Sequence, residues 1–177
     1  MKALVAFGTR YGTTARIAEI IGEELTKGGY EVDVLDLRDG AGGGVDGYDL
    51  VVLGSSVFVG KWTKEAQRFL ESSAPALTER KVALFVSCSD VLFPEKVEAG
   101  RKMYLDDVAA GVPGLSPVAK GMFGGVIDFG RYNTLTKALL AGVGTKKRLR
   151  GKGIDPSQPY DFREWQEVRA WARALCP

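Results

Sequence analysis

The first twenty-five residues restrict the fold of this chain more than any other stretch. An apolar run, Lys2–Phe7, leads into the loop Gly8–Thr14, and the amphipathic segment Ala15–Leu25 follows. A continuous apolar run is typical of a parallel strand that is buried on both faces, and Ile17 and Ile21 lie one helical turn apart. The pattern therefore predicts a strand, a tight loop and a helix.

The loop between this strand and helix has a composition suited to binding a phosphate group. Gly8 and Gly12 permit a tight turn, and three threonines place hydroxyls beside the amides of a helix N-terminus. A Walker loop requires Gly-Lys-Ser/Thr and a dinucleotide fingerprint requires Gly-x-Gly-x-x-Gly, and the loop matches neither pattern. A Thr-capped helix after a glycine turn is the alternative that the loop alone leaves open.

Composition narrows the class of protein and the chemistry. The chain has 177 residues, of which 45% are hydrophobic, so we expect a single domain, 1–177, with a full core. The absence of histidine excludes Ser-His-Asp triads, Cys-His nucleophiles and His-ligated metals. Two cysteines, Cys88 and Cys176, are too few for a disulfide framework or a zinc site, so we expect reduced thiols and no metal. A bound cofactor is the expected source of chemistry.

Four further segments predict the rest of a parallel sheet. Tyr30–Leu37 alternates between apolar and polar residues, as an edge strand does, whereas Asp49–Gly54 and Lys81–Ser87 are continuous apolar runs. Val118–Ile127 is a weaker fifth strand, whose glycines suggest close approach by a ligand or another backbone. We expect a doubly wound α/β sheet with strand order 2-1-3-4-5, whose ligand crevice lies at the carboxyl ends of strands one and three.

Helices are expected between and after these strands. Thr63 is placed to cap one helix and Pro94 to begin another. A helix is predicted over about 131–141, and 144–159 is expected to be a loop. The last helix is expected over Asp161–Leu175, with a capping box at its start.

Two more loops lie where the crevice is expected. Gly54–Trp62 follows strand three, and its paired serines have little packing reason to stand at the end of a buried strand. Trp62 is equally compatible with core packing and with cofactor contact. In Ser87–Phe93, after strand four, Cys88 is expected to be a small buried residue rather than a redox thiol. Asp90 is either a proton relay or, as we favour, a turn-forming residue.

Together these regions resemble a known family. The motif Thr-Arg-Tyr-Gly-Thr-Thr ending at Thr14, the run Gly54–Val57 with Gly60 three residues on, the segment 124–144 and the C-terminal segment Asp161–Trp171 are similar to flavodoxin-domain proteins. Within that superfamily the resemblance is greatest to the menaquinone-dependent, oxygen-independent protoporphyrinogen oxidases. It implies a flavodoxin-like five-stranded sheet, noncovalently bound FMN and two-electron redox chemistry.

The resemblance also implies where FMN would bind. Threonines of the first loop would hold its phosphate, and the other two loops would border its ring. No catalytic side chain is assigned, because the chemistry would take place on the flavin. The candidate cofactor-binding residues are Thr9, Arg10, Tyr11, Gly12, Thr13, Thr14, Ser55, Ser56, Val57, Phe58, Val59, Gly60, Ser87, Cys88, Ser89 and Asp90.

The reaction partner stays open between a quinone and a redox protein, and the alternative to an enzyme is an electron carrier without its own substrate. A basic run near the C-terminus suits anionic lipid or an acidic partner, and without interleaved aromatics it does not suit nucleic acid. We expect a cytoplasmic protein, peripheral at the inner face of the membrane, and leave a homo-oligomer open. The run consists of Lys146, Lys147, Arg148, Arg150 and Lys152.

Overall fold

Five parallel strands form the centre of the computed structural model, which describes residues 1–40, 44–142 and 144–177. Their order is β2-β1-β3-β4-β5, so the predicted strand order is confirmed. The strands are β1 (Lys2–Gly8), β2 (Glu31–Asp36), β3 (Leu50–Ser56), β4 (Lys81–Ser87) and β5 (Ala119–Phe123). The carboxyl ends of β1, β3 and β4 therefore lie side by side at one edge of the sheet.

Helices cover both faces of the sheet. One face packs against α1 and α8, and the other against α2, α3 and α5. A π-helical segment, 102–106, joins α4 to α5. The helices are α1 (Thr13–Lys27), α2 (Lys64–Ser72), α3 (Ala74–Leu77), α4 (Pro94–Arg101), α5 (Asp107–Ala110), α6 (Thr134–Gly142), α7 (Thr145–Gly151) and α8 (Trp165–Arg173).

The continuous apolar run of β1 is explained by these two layers. Leu4 and Ala6 belong to the core under α2, whereas Ala3, Val5 and Phe7 belong to the core under α1. Alternate side chains of a strand point to opposite faces, so a strand covered on both sides must be apolar at every position. The same packing fixes the register of β1 and hence the place where its loop emerges.

The fifth strand is shorter than the sequence predicts. β5 ends at Phe123, and Val126–Ile127 form a separate strand, β6, that pairs antiparallel with β7 (Tyr160–Asp161). A Cβ atom at Gly124 would collide with the backbone of Phe162, whose amide donates to the carbonyl of Gly125 over 3.0 Å. The glycines thus admit another backbone, which was one of the two expected reasons for them.

Two predictions for the C-terminal third are wrong. The expected loop 144–159 contains α7, which is anchored by the buried side chain of Leu149. The expected capping box does not form, because the Asp161 carboxylate accepts from Nε of Arg163 over 2.9 Å and α8 begins only at Trp165. One apolar residue in a basic stretch gives too weak a periodicity to predict α7. None of the helices in the described ranges is long and apolar enough to cross a membrane.

A buried carboxylate joins the first helix to the last. Glu24 in α1 is only 3% exposed, and its Oε1 atom accepts from Lys27 Nζ and from Arg169 Nη1, each over 2.7 Å. Its Oε2 atom accepts from Arg173 over 3.2 Å. The hydrogen bond from Lys27, together with that from Arg169, lowers the pKa of Glu24 to about 2. This cluster joins α8 to the C-terminal part of α1.

We expect Glu24→Gln to destabilise the fold in a pH-dependent way. Because the folded-state pKa lies below the unfolded value of about 4.3, the charge stabilises the fold above that value and stops doing so as the pH falls toward about 2. The difference in free energy of unfolding from wild type should be largest near neutral pH and vanish near pH 2. Urea denaturation across this range measures it.

Glu19→Gln is the matched control, because Glu19 lies on the exposed side of the same helix and, among the described residues, forms an ion pair only with Arg16. Its effect on stability should be small at every pH. A difference for Glu24→Gln that stays constant with pH would show that the side chain acts by packing rather than by charge.

Candidate functional site

A cleft lies at the carboxyl ends of β1, β3 and β4, where the predicted strand order places the ligand crevice. Its empty volume is about 770 Å³, including the part open to solvent. Residues from all three predicted loops line it. They are Thr9, Arg10, Tyr11, Thr13, Ser56, Val57, Phe58, Val59, Ser87, Cys88 and Ser89.

The loop between β1 and α1 leaves a helix N-terminus open to the cleft. Gly12 takes up a left-handed conformation, with φ of 84°, and α1 begins at Thr13 without a side-chain cap in the described structure. The amide of Gly12 donates to Oγ1 of Thr9 over 3.0 Å, which closes the loop. The first amides of a helix have no intrahelical acceptor and carry a partial positive charge, so this end is suited to an anion. Thr13 lines the same part of the cleft.

Two of the predicted hydroxyls lie behind the lining and hold the loops together. Thr14 is fully buried, and its Oγ1 atom is 2.9 Å from Oγ of Ser87, which joins α1 to the end of β4. Ser55 is fully buried as well, and its Oγ atom accepts from the amide of Thr63 over 2.9 Å. That bond joins β3 to the start of α2, so Ser55 has a packing role that the sequence did not suggest.

The loop after β3 forms a tight hairpin at the rim of the cleft. Phe58 and Lys61 exchange two backbone hydrogen bonds, of 2.9 and 3.2 Å, around Val59 and Gly60. Both central residues have positive φ, 48° and 74°, as a type I′ turn requires. Gly60 lies outside the lining of the cleft and packs toward Met103. The hairpin therefore presents Phe58 and Val59 to the cleft.

The loop after β4 contributes its backbone and a buried thiol. Burial raises the pKa of Cys88 to about 12, so the group stays protonated at neutral pH and is a poor nucleophile. The Asp90 carboxylate accepts from the Tyr104 hydroxyl over 2.8 Å and is not part of the lining. Trp62 is buried, donates from Nε1 to the Tyr104 carbonyl over 2.8 Å and packs in the core.

A further wall of the cleft comes from the segment after β5, which the sequence did not single out residue by residue. Tyr132 lies 4.8 Å from Tyr11, measured between ring centroids, and the Tyr11 hydroxyl is 2.9 Å from Oγ1 of Thr136. Burial raises the pKa of Tyr132. In the sequence, only the resemblance of the segment 124–144 to flavodoxin-domain proteins indicated this wall. Its residues are Gly125, Val126, Ile127, Tyr132, Leu140, Thr145 and Phe162.

The family model described as Flavodoxin domain matches residues 4–148. The chain belongs to the flavodoxin-domain family. It is 23% identical over 175 residues to protoporphyrinogen IX dehydrogenase [quinone] of Escherichia coli K12, covering 99% of this chain and 94% of that protein. An archaeal flavodoxin matches with a TM-score of 0.53 and 16% identity, over 99% of this chain and 96% of its own. Flavodoxin 1 from Bacillus cereus matches with a TM-score of 0.52 and 19% identity, over 82% of this chain and 96% of its own.

Membership of this family makes the chain an FMN flavoprotein. The cleft fits that cofactor, because its two ends differ in chemistry. The uncapped start of α1, with Thr13, is suited to a phosphate, and the loops around Phe58 and Ser89 enclose a broader, more apolar space. Arg10 is the only cation of the described lining, and its guanidinium carbon lies 4.1 Å from the centroid of the Phe58 ring.

The hairpin at the rim stores backbone strain that a substitution can release. A β-branched residue at positive φ costs about 1–2 kcal/mol, and glycine loses about 0.5–1 kcal/mol more chain entropy on folding. Val59 is 60% exposed, so little packing would be lost. We therefore expect Val59→Gly to raise the free energy of unfolding of the apoprotein by up to about 1 kcal/mol, measured by urea denaturation.

Val57→Gly is the control for this prediction. Val57 is half-buried and has an ordinary backbone conformation, and its amide donates to the Ser87 carbonyl over 2.9 Å. The same substitution there should lower stability. A loss of stability for Val59→Gly as well would contradict the assignment of strain to the turn.

Proposed function

We propose that the protein is an FMN-dependent oxidoreductase that oxidises a porphyrinogen and passes the electrons to a quinone. The wall formed after β5 carries this proposal. An electron carrier needs only an exposed edge of its flavin, whereas an enzyme needs a pocket that holds a substrate against the ring. Tyr132 and Phe162 line the cleft together with the hairpin loop and give it such an aromatic wall. The full-length similarity to the E. coli dehydrogenase supports the choice of substrate and acceptor.

We infer that the phosphate of FMN binds at the start of α1, to the free amides and the Thr13 hydroxyl. Thr9, which is 2% exposed, and Gly12 hold that loop in shape, and Thr14 ties it to β4. The ring would lie between Val57–Val59 and Ser87–Ser89. Asp90, Ser55 and Gly60 would support these loops from behind rather than touch the cofactor.

When bound, FMN would supply two-electron oxidation, which must take place three times to convert a porphyrinogen to a porphyrin. No carboxylate, histidine or lysine lines the described part of the cleft. The side chains would therefore act by binding, orientation and exclusion of water rather than by acid–base catalysis. With its raised pKa, the Cys88 thiol would remain a neutral part of the wall.

Anaerobic turnover separates the enzyme from an electron carrier. With protoporphyrinogen and a menaquinone analogue, we expect porphyrin fluorescence to appear only when the protein carries FMN. Tyr132→Ala should lower turnover while FMN remains bound, whereas Tyr48→Ala, at a tyrosine outside the cleft whose hydroxyl donates to Asp33, should not. If the flavin is reduced by other donors but no porphyrin forms, the protein is a carrier and the proposal is wrong.

We also propose that α6 and α7 rest on an anionic membrane, from which a quinone reaches the cleft. Lys146 and Lys147 are exposed, and none of the five cations of the basic run has a carboxylate within 4.0 Å in the described structure. Arg148 instead lies 4.4 Å from the Phe93 ring, which helps to hold α7 on the fold. One turn apart on α6, Leu135 and Leu139 are 69% and 45% exposed.

Vesicle sedimentation tests this contact. Each cation near an anionic surface contributes about 1 kcal/mol, so binding should be measurable on vesicles with anionic lipid, absent on neutral ones and lost at about 1 M salt. The pair Lys146→Glu and Lys147→Glu should abolish it, whereas Arg68→Glu and Lys81→Glu, also exposed, should not. Equal binding by both double variants would show that α7 is only a solvated surface.

A further inference from the structure

A second concavity lies beside the flavin cleft, on the other side of the hairpin. It is formed between the β1–α1 loop, the turn after β2 and the start of α2, and its empty volume is about 930 Å³, including the part open to solvent. Thr9, Arg10 and Phe58 line both this concavity and the cleft. A molecule bound in it would therefore reach the flavin cleft across the rim.

The lining of this concavity is strongly cationic. Arg10, Arg38, Lys61 and Lys64 come from three separate segments of the chain, and Glu65 is the only carboxylate in the described lining. Arg38 is paired with Asp36 over 2.6 Å, but the other three cations have no carboxylate within 4.0 Å among the described residues. Three cations without a carboxylate partner among the described residues, placed around one concavity, produce a positive potential that attracts an anion.

The rest of the lining consists of two aromatic side chains and two threonines, Thr9 and Thr63. Phe58 stands at the boundary with the cleft, with the Arg10 guanidinium over its ring, and the largely buried Trp62 also contributes to the lining. Aromatic faces bind flat apolar ligands, whereas stacked guanidinium groups and lysines bind carboxylates. The combination suits an amphipathic ligand with a flat apolar body and more than one acidic group.

We propose that this concavity binds the acidic side chains of the substrate, so that its macrocycle extends past Phe58 toward the flavin. The inference deepens the proposed function and rests on it, because a porphyrinogen carries propionate groups on an otherwise apolar macrocycle. The site would select for the free dicarboxylate over its neutral ester. A large acidic protein partner fits less well, because the cations surround a concavity that also has aromatic walls.

Binding of a stable probe tests the site without relying on turnover. Protoporphyrin and its dimethyl ester are titrated against the FMN-loaded protein. We expect the pair Lys61→Glu and Lys64→Glu to weaken binding of the diacid about tenfold and to leave the ester unchanged, since exposed charge contacts contribute up to about fivefold each. Arg68→Glu with Lys81→Glu, which lie outside the concavity, should change neither probe.

Porphyrinogen turnover, measured in parallel, separates the two proposals. If the wild type is active and the Lys61/Lys64 variant keeps its KM and its affinity for the diacid, the site is wrong and the proposed function stands. If no protein turns over porphyrinogen but the variant still loses affinity for the diacid alone, the site stands and the proposed reaction fails. Equal loss of diacid and ester would overturn the site, because the effect would then not come from charge.

Discussion

The unpaired amides at the start of α1 are the constraint on which the rest of the cleft depends. Gly12 adopts a left-handed conformation just before this end of the helix, and its amide donates to Oγ1 of Thr9, which closes the loop. The buried pair of Thr14 and Ser87 then fixes that loop relative to β4. An anion at this end needs no cationic side chain, since the helix terminus itself supplies amides and a partial positive charge.

Two groups of cations lie near the cleft, whose own described lining contains only Arg10. One group surrounds the concavity beyond the hairpin, and the other lies on α7 next to the exposed leucines of α6. This distribution suits a flavoprotein that meets an acidic substrate on one side of the cleft and an anionic surface near the other. The strained turn at Val59 lies where the concavity and the cleft meet, because Phe58 lines both of them.

The sequence predicted the sheet because each central strand is covered on both faces and is therefore apolar throughout, as in Lys81–Ser87. It also predicted the three loops at the switch point, because strand order decides which loops meet. It could not predict the wall around Tyr132, since that wall depends on a two-residue pairing of β6 with a distant β7. Nor could the sequence show that the Ser55 hydroxyl accepts a hydrogen bond from the Thr63 amide, because no sequence pattern predicts such a contact.

Comparing the affinities of FMN and riboflavin tests most directly whether the start of α1 holds the phosphate. Riboflavin has the same ring without the phosphate. Isothermal titration of wild type and Thr13→Ala should show that the variant loses about ten- to a hundredfold in affinity for FMN and none for riboflavin. Thr26→Ala, at the far end of α1, should leave both unchanged. Equal affinities of wild type for the two flavins would contradict a phosphate site at this helix.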